Sequence, residues 1–455
     1  MISRKPSVVA TLLRYLATAS KHRAIYPPEH PLVRRAMEDL VQVLELLLHD
    51  REAVTFQLYE DTFFLDNVML PEESLRNAAL LTACLERGIG SFQLRRGVTP
   101  SEVDAFIALL TTPPQGVRGA GGAAAFLAAQ GIAHITVEAP RTTRPTDAEI
   151  EVDPANAYQA GHTVAQELRV QAVRRQPLDM TKARIFLNAA IEVVLDNRFS
   201  LLGLTAHRDY DEGSSYHAVN VSILALLVGT ALGMNHDQLT ALGMGALLHD
   251  IGKVRVPQAL INKAADLTAE ERAVLEHHPV HGASILRDMD GLGRLAAVVA
   301  LEHHAHYDLS GYPPLTGRQH PNVFTRIVAV ADAYDTVTAA RRGAARPLRP
   351  ELGMKWIAAG LGTVFDPVVG KVFLRMMGLY PVGSLVALST GDLALVLRPS
   401  EAWVDRPRVQ LLRDGALAET VDLAASPAVY ITSGVDPEDV GVDLAALQQQ
   451  SVAAG

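Results

Sequence analysis

The chain has 455 residues, 49% hydrophobic and 20% charged, which is enough for about two to four folded domains and too apolar for wholesale disorder. A formal net charge of -9 excludes the broad positive field that binding to DNA, RNA or an anionic membrane requires, so an anionic ligand would need a metal or a few local cations. The single cysteine, Cys84, rules out an intramolecular disulfide framework, fits a reducing compartment and reads as a small core residue in its Ala-rich apolar stretch.

In chain order, Met1 to Ser20 places Arg4, Lys5 and Arg14 among interrupted apolar positions, which predicts an amphipathic helix and no signal peptide. A cytoplasmic protein is therefore expected. Leu32 to Leu48 has helical apolar spacing, and Ala53 to Leu58 and Thr62 to Leu70 are short β-rich runs, the second holding an Asp66-Asn67 turn signal. A helix starts near Thr99-Pro100-Ser101-Glu102, with Thr99 or Ser101 as its cap, and Gly131 to Val137 reads as a closing strand. Residues 1–140 are thus expected to be a mixed α/β domain. It carries no recognisable sensor motif, and its place in the chain suits a regulatory role or contact with a second copy or a signalling protein.

Residues 141–178 read as a linker, rich in Pro, Thr, Arg, Asp and Glu, running into a helix. Residues 179–378 have helical spacing almost throughout. Within them Ala218 to Asn235 is a charge-free run of about 18 residues, near the lower limit for spanning a bilayer; Asn220, Ser222 and Thr230 interrupt it, so a buried core helix is expected and no membrane span. The period changes after Tyr380-Pro381-Val382-Gly383 to short strands at Ser384 to Ser389, Leu393 to Arg398 and Pro407 to Leu412, giving a small β-rich appendage over 379–432. Residues 433–455 are expected to fray.

Sixteen histidines occur, and nine fall between His217 and His306. His217 opens an apolar helix, and His249-Asp250 closes another just before Ile251-Gly252-Lys253. Adjacent imidazole and carboxylate at a helix end can face one point, a donor pair suited to borderline divalent metals, and a carboxylate can bridge two ions. His-Asp alone is weak evidence; its weight comes from His278, His303-His304 and Asp332 further along.

On these residues the sequence resembles the HD superfamily, and within it the HD-GYP family of cyclic di-GMP phosphodiesterases. The resemblance covers about residues 205–375. It rests on His217-Ala218-Val219-Asn220-Val221, His249-Asp250-Ile251-Gly252-Lys253, His278-Pro279 with Gly282 and Leu286, His303-His304 followed by Asp308 and Gly311-Tyr312-Pro313, Asp332-Ala333-Tyr334-Asp335, and Phe365-Asp366-Pro367. It implies an HD-type, mainly α catalytic domain over 179–378. One metal would be held by His217, His249, Asp250 and Asp332, and a second by Asp250, His278, His303 and His304. Two divalent ions are expected, iron or manganese first, with zinc, nickel or magnesium also compatible. A hydroxide bridging them would attack the phosphodiester, opening a cyclic dinucleotide, cyclic di-GMP first, to pGpG, GMP or both. Lys253 would offer a point charge to a phosphate oxygen, and Gly311, Tyr312, Pro313 and Arg318 would border the substrate.

The chain departs from the family pattern in four places. Ala305 stands where a Glu follows the double histidine, Leu309 where a Gly precedes the Gly-Tyr-Pro turn, and Gly213 where a further Glu supplies a third metal. Two metals and not three are therefore expected. Arg341 to Arg346 also leaves the usual continuation after Asp332. These changes motivate an alternative in which the module binds a nucleotide or partner protein and turns over slowly or not at all.

Overall fold

The computed structural model describes all residues except 1–5, 60, 67, 141–151, 206–212, 264–265, 288–291, 340–346, 414, 444–446 and 448–455. The chain divides into two compact units, Met1–Ala160 and Gly161–Gly455.

In the first unit, β1 (Ala53–Tyr59) alternates half-buried and buried positions, so Val54, Phe56 and Leu58 share one face. It pairs with β2 (Thr62–Leu65), which continues through a turn into β3 (Val68–Leu70), and on its other edge with β4 (Ser91–Arg95), followed by β5 (Ile135–Glu138). The sheet order is β3-β2-β1-β4-β5, and every pair is antiparallel. Helices Pro6–Ile25, Pro31–Leu48 and Pro100–Thr111 contribute Leu12, Leu16, Leu40, Leu44 and Phe106 to the core that Phe56 and Phe92 share. The two Phe rings stack with centroids 5.0 Å apart. Helices packed on an antiparallel sheet make this an α+β arrangement, a refinement of the mixed α/β expectation.

Sequence reading passes over β4, although Ser-Phe-Gln-Leu-Arg alternates. Gly88, Gly90 and Gly97 around it give a loop-like composition that hides a central strand. Asp66 takes φ 55° at the turn between β2 and β3; its neighbour Asn67 lies outside the described residues. Thr99, and not Ser101, caps the Pro100–Thr111 helix, in a reciprocal capping box with Glu102. Cys84 is fully buried, and burial, against a smaller pull from Arg87, pushes its thiol up to about 12, as suits a core residue.

The second unit is mostly helical. Its Gly213–Ala231 helix is buried on all sides; Val219 through Leu227 are at most 3% exposed. That is how a helix apolar around its whole circumference sits inside a bundle. Among the described residues no helix is long and apolar enough to cross a membrane.

After the helix Pro367–Met377 come β6 (Leu385–Leu388), β7 (Leu393–Arg398), β8 (Arg408–Arg413), β9 (Ala416–Asp422) and β10 (Ile431–Val435), ordered β10-β6-β7-β8-β9. Here the structure corrects the sequence expectation of a fraying tail from Ser433. β10 runs through Val435 paired to β6, and a 3-10 turn Pro437–Val440 follows it. Isolated polar and glycine residues in Ile-Thr-Ser-Gly-Val conceal the strand, because edge strands need little apolar alternation. The Arg341 to Arg346 stretch lies outside the described residues.

Candidate metal centre

Five helix ends and helix faces converge on one point. The His236–Leu248 helix starts at Asn235, which forms a capping box with Gln238, and ends at His249 and Asp250. The chain then tightens into a 3-10 turn, Ile251–Arg255, that carries Lys253. Gly252 lets this turn lie directly on the His278–Leu286 helix, which follows two short helices further along the chain. A Cβ at position 252 would meet the carbonyl oxygen of His278 at 2.0 Å and the amide nitrogen of Gly282 at 2.4 Å. The contact sets Asp250 beside His278.

His303 and His304 leave the end of the Leu292–Glu302 helix. On the Val323–Thr338 helix, capped by Asn322, Asp332 and Asp335 are one turn apart on the same face. His217 and Asn220 have the same spacing on the Gly213–Ala231 helix. The two pairs meet: Nδ1 of His217 lies 2.7 Å from Oδ2 of Asp335, and Nδ2 of Asn220 donates to Oδ1 of Asp335 at 3.0 Å.

The ligating atoms fall into two groups, each with its atoms within 4.8 Å of one another: Asp250, His278, His303 and His304, and His217, His249 and Asp332. Asp250 faces both. Its Oδ1 is 3.2 Å from Nε2 of His278 and 3.6 Å from Nε2 of His303, while its Oδ2 is 3.4 Å from Nε2 of His249 and 3.7 Å from Nε2 of His217. Asp332 Oδ1 is 3.1 Å from Nε2 of His217.

The rings are oriented from behind. Nδ1 of His249, His278 and His303 lies 2.7, 2.8 and 2.9 Å from the backbone carbonyl oxygens of Ala246, Leu275 and Ala300, each three residues earlier. A carbonyl only accepts, so each of these Nδ1 atoms carries the proton and each Nε2 is left with its lone pair facing inward. For His217 the acceptor is the carboxylate of Asp335 instead.

The electrostatics keep His303 and His304 neutral and set His217 apart as a ring that holds both protons while no ion is bound. Burial opposes charge on His217, but the carboxylates of Asp332 and Asp335 outweigh it and raise its pKa to about 9. Burial, with repulsion from the neighbouring rings, brings His303 down to about 4 and His304 to about 2. Burial alone would raise Asp250 and Asp332; Lys253 and His249 hold the first well below the usual carboxylate range, and His217 and His249 hold the second there.

The residues fit a metal. Nε2 of His249 and Oδ1 of Asp250 are buried with no hydrogen-bond partner, a costly state for polar atoms that a shared cation relieves. Mixed imidazole and carboxylate donors suit borderline divalent ions.

The remaining sequence-predicted residues take different places. Nζ of Lys253 lies 2.5 Å from Oδ2 of Asp250. The ring of Tyr312 packs on His304, centroids 4.6 Å apart, and burial followed by nearby carboxylates pushes its hydroxyl upward. Gly311 bridges to Ala305, and Tyr312 N–H donates to the carbonyl of His304 at 3.2 Å, so Gly311-Tyr312-Pro313 folds back beside the double histidine. Arg318 is tied by Nη1 to Glu302. That carboxylate is 1% exposed and also accepts from the Asn322 amide at 2.8 Å and the Thr325 hydroxyl at 3.3 Å. Sequence reasoning assigned no role to Glu302, Asn220 or Asp335. The i, i+3 spacing of the last two from His217 and Asp332 was the available signal.

Residues 191–369 match the HD domain family. The chain is 32% identical over 241 residues to a cyclic di-GMP phosphodiesterase of Pseudomonas aeruginosa, covering 52% of this chain and 56% of that protein. It is 32% identical over 216 residues to the cyclic di-GMP phosphodiesterase response regulator RpfG of Xanthomonas campestris pv. campestris, covering 46% and 56%. It is also 29% identical over 179 residues to the 3′3′-cGAMP-specific phosphodiesterase 2 of Vibrio cholerae, covering 39% and 34%. The chain thus spans a little over half the length of the first two relatives and about a third of the last.

Proposed function

We propose that this chain, whose residues 191–369 carry an HD domain, is a metal-dependent phosphodiesterase that opens a 3′–5′ phosphodiester of a cyclic dinucleotide, cyclic di-GMP first. The observation that carries the reading is the division of Asp250, one oxygen toward His278 and His303 and the other toward His249 and His217. A carboxylate so divided is suited to hold two ions side by side. His217, His249, Asp332 and Asp250 would hold one, and His278, His303, His304 and Asp250 the other. Bound there, two divalent ions make a water nucleophilic at neutral pH and neutralise charge developing on the phosphate.

The chain's own groups do the rest. The ring orientations of His249, His278 and His303 leave Nε2 lone pairs inward without any rearrangement, which keeps that part of the ligand set preorganised, whereas His217 gives up a proton to admit an ion. Lys253, three residues after the bridging carboxylate, is within reach to offer its ammonium to a non-bridging phosphate oxygen. Gly311, Tyr312 and Pro313 form the wall beside His304, where Tyr312 presents an aromatic face to a purine; Arg318, tied to Glu302, would offer its guanidinium to a phosphate. The names of the relatives support cyclic di-GMP and 3′3′-cGAMP as the substrates to try.

The test is turnover of cyclic di-GMP and of 3′3′-cGAMP by iron- or manganese-loaded protein, with metal content measured on the same sample and on Asp250→Ala. Cleavage by the wild type and loss of both ions and activity in the variant are expected. Protein that holds two ions and cleaves neither dinucleotide would sink the reading.

A further inference from the structure

Of the four histidines whose Nδ1 is fixed from behind, three rest on backbone carbonyls and one, His217, on a side chain that substitution can change. From this difference, and resting on the metal-centre reading above, we infer that Asp335, itself aimed by Asn220, is a positioning residue that keeps the proton of His217 on Nδ1 and so sets the affinity of one of the two ions, the one held by His217, His249 and Asp332.

The geometry is closed on every side. Asp335 is 3% exposed, Oδ2 takes the ring proton of His217 at 2.7 Å, and Oδ1 takes Nδ2–H of Asn220 at 3.0 Å. Nδ2 of Asn220 also faces the carbonyl oxygen of Thr205 at 3.4 Å, so the Asn220 amide presents donors and not its oxygen. A carboxylate satisfies both neighbours because both of its oxygens accept. An amide cannot. In Asp335→Asn, if the new oxygen stays with Asn220, an N–H2 faces Nδ1 of His217 and drives the ring to the tautomer with its proton on Nε2, where the metal should bind. If the amide turns over, the oxygen serves His217 but two N–H2 groups face each other at Asn220. Each arrangement forfeits one buried hydrogen bond; the first imposes the wrong tautomer, the second keeps the tautomer but replaces a carboxylate acceptor by a weaker neutral one, and the ligand is weakened either way. The carbonyl-held rings of His278 and His303 are untouched, so the loss is confined to one ion. A residue that orients a ligand in this way is typically worth about 10- to 100-fold in metal affinity.

The experiment is a Co(II) titration of the metal-free full chain, read by calorimetry and by visible absorption, on wild type, Asp335→Asn and Asn220→Ala. The ring N–H proton of His217 is followed in 15N-histidine-labelled protein as a readout that needs no metal. The wild type should bind two ions and show a downfield N–H proton bonded to carboxylate. Asp335→Asn should keep one ion at wild-type affinity, bind the other about 10- to 100-fold more weakly and lose the downfield proton. Asn220→Ala, which keeps the carboxylate, should weaken the same ion by a smaller factor; it carries the test if circular dichroism shows Asp335→Asn to be unfolded. Two ions bound by Asp335→Asn with both affinities within about twofold of wild type, or by Asn220→Ala with both unchanged where that variant stands in, would overturn the inference and leave the metal centre standing. A wild type that binds no Co(II) while showing the downfield proton would remove the metal centre, and the inference about affinity with it.

Discussion

Nζ of Lys253 lies 2.5 Å from Oδ2 of Asp250, the carboxylate oxygen that faces His249 and His217. The lysine and a cation at that group therefore bind the same oxygen. A lysine so placed would lower the charge that an ion meets at the carboxylate, and with an ion held there its ammonium would be free to reach a substrate phosphate. Lys253→Met should accordingly bind two ions as tightly as wild type or tighter, yet cleave cyclic dinucleotide about 100-fold more slowly, the scale expected for one lost charge at a developing anion. Metal titration beside kcat on the same preparation checks both halves. A fall in affinity for either ion would show that the lysine supports the ligand set.

Glu302 joins three segments through one buried carboxylate: the end of the helix that leads to His303 and His304, the loop carrying Arg318, and the start of the helix that carries Asp332. Truncation leaves the Asn322 amide and the Thr325 hydroxyl unanswered, so Glu302→Ala should cost about 2–4 kcal/mol. Arg318→Ala removes a partner whose side chain is 46% exposed but leaves the buried Glu302 carboxylate to the Asn322 amide and the Thr325 hydroxyl alone, and should cost about 1–3 kcal/mol. Denaturant unfolding measures both. If Arg318 also touches substrate, its variant raises KM under conditions where it remains fully folded, and that rise separates a binding role from a purely anchoring one.

The seven proposed ligand positions were legible through the family resemblance, whose motifs sit in order at helix ends and on helix faces. His249-Asp250 before Ile-Gly-Lys and His278 before Pro279 are such cases. What holds those ligands was less legible. Asp335 and Asn220 each lie one turn from a ligand, but their function depends on two helices 115 residues apart in sequence meeting face to face, and no local pattern encodes that. Glu302 reads as an ordinary charged residue beside the double histidine until the loop folds over it. The strand Ser91–Arg95 and the edge strand Ile431–Val435 were hidden for another reason: tertiary pairing, not local propensity, makes short glycine-flanked segments extended.

Leu309 occupies φ 68° in the turn before Gly311, a left-handed conformation that costs an L-residue with a side chain roughly 1–2 kcal/mol. The ordinary effect of introducing glycine into a loop is a loss of about 0.4–1 kcal/mol through the unfolded chain. Here relief of strain opposes that loss. Leu309→Gly should therefore be neutral or stabilising by up to about 1 kcal/mol, measured as a change in Tm, with the loop beside His304 unchanged. A destabilisation beyond about 1 kcal/mol would mean that the apolar contacts of the Leu309 side chain outweigh the backbone strain.

Acid should loosen the first unit through Glu102. Burial works against its charge, but the amides of Ala133, His134 and Thr99 donate to it at 2.8, 2.9 and 2.9 Å, His134 adds a side-chain contact, and the outcome is a pKa lowered from 4.5 to about 2. The side chain is 9% exposed, so solvent screens these bonds little. Because the folded state binds the proton more weakly than the unfolded one, the unfolded state carries more protons between the two values and stability rises with pH across that window. The contribution, roughly 3 kcal/mol for a shift of this size, is complete above about pH 4.5 and is lost progressively as pH falls toward 2. Glu102→Gln should lose most of it at neutral pH and flatten the acid dependence. Hydrogen-exchange protection of Leu94 and Val137 in the full chain, corrected for the intrinsic effect of pH on exchange, reads the change where Glu102 ties the helix start to the approach to β5. Equal acid sensitivity of wild type and Glu102→Gln between pH 4.5 and 2 would place the acid-labile group elsewhere in the unit.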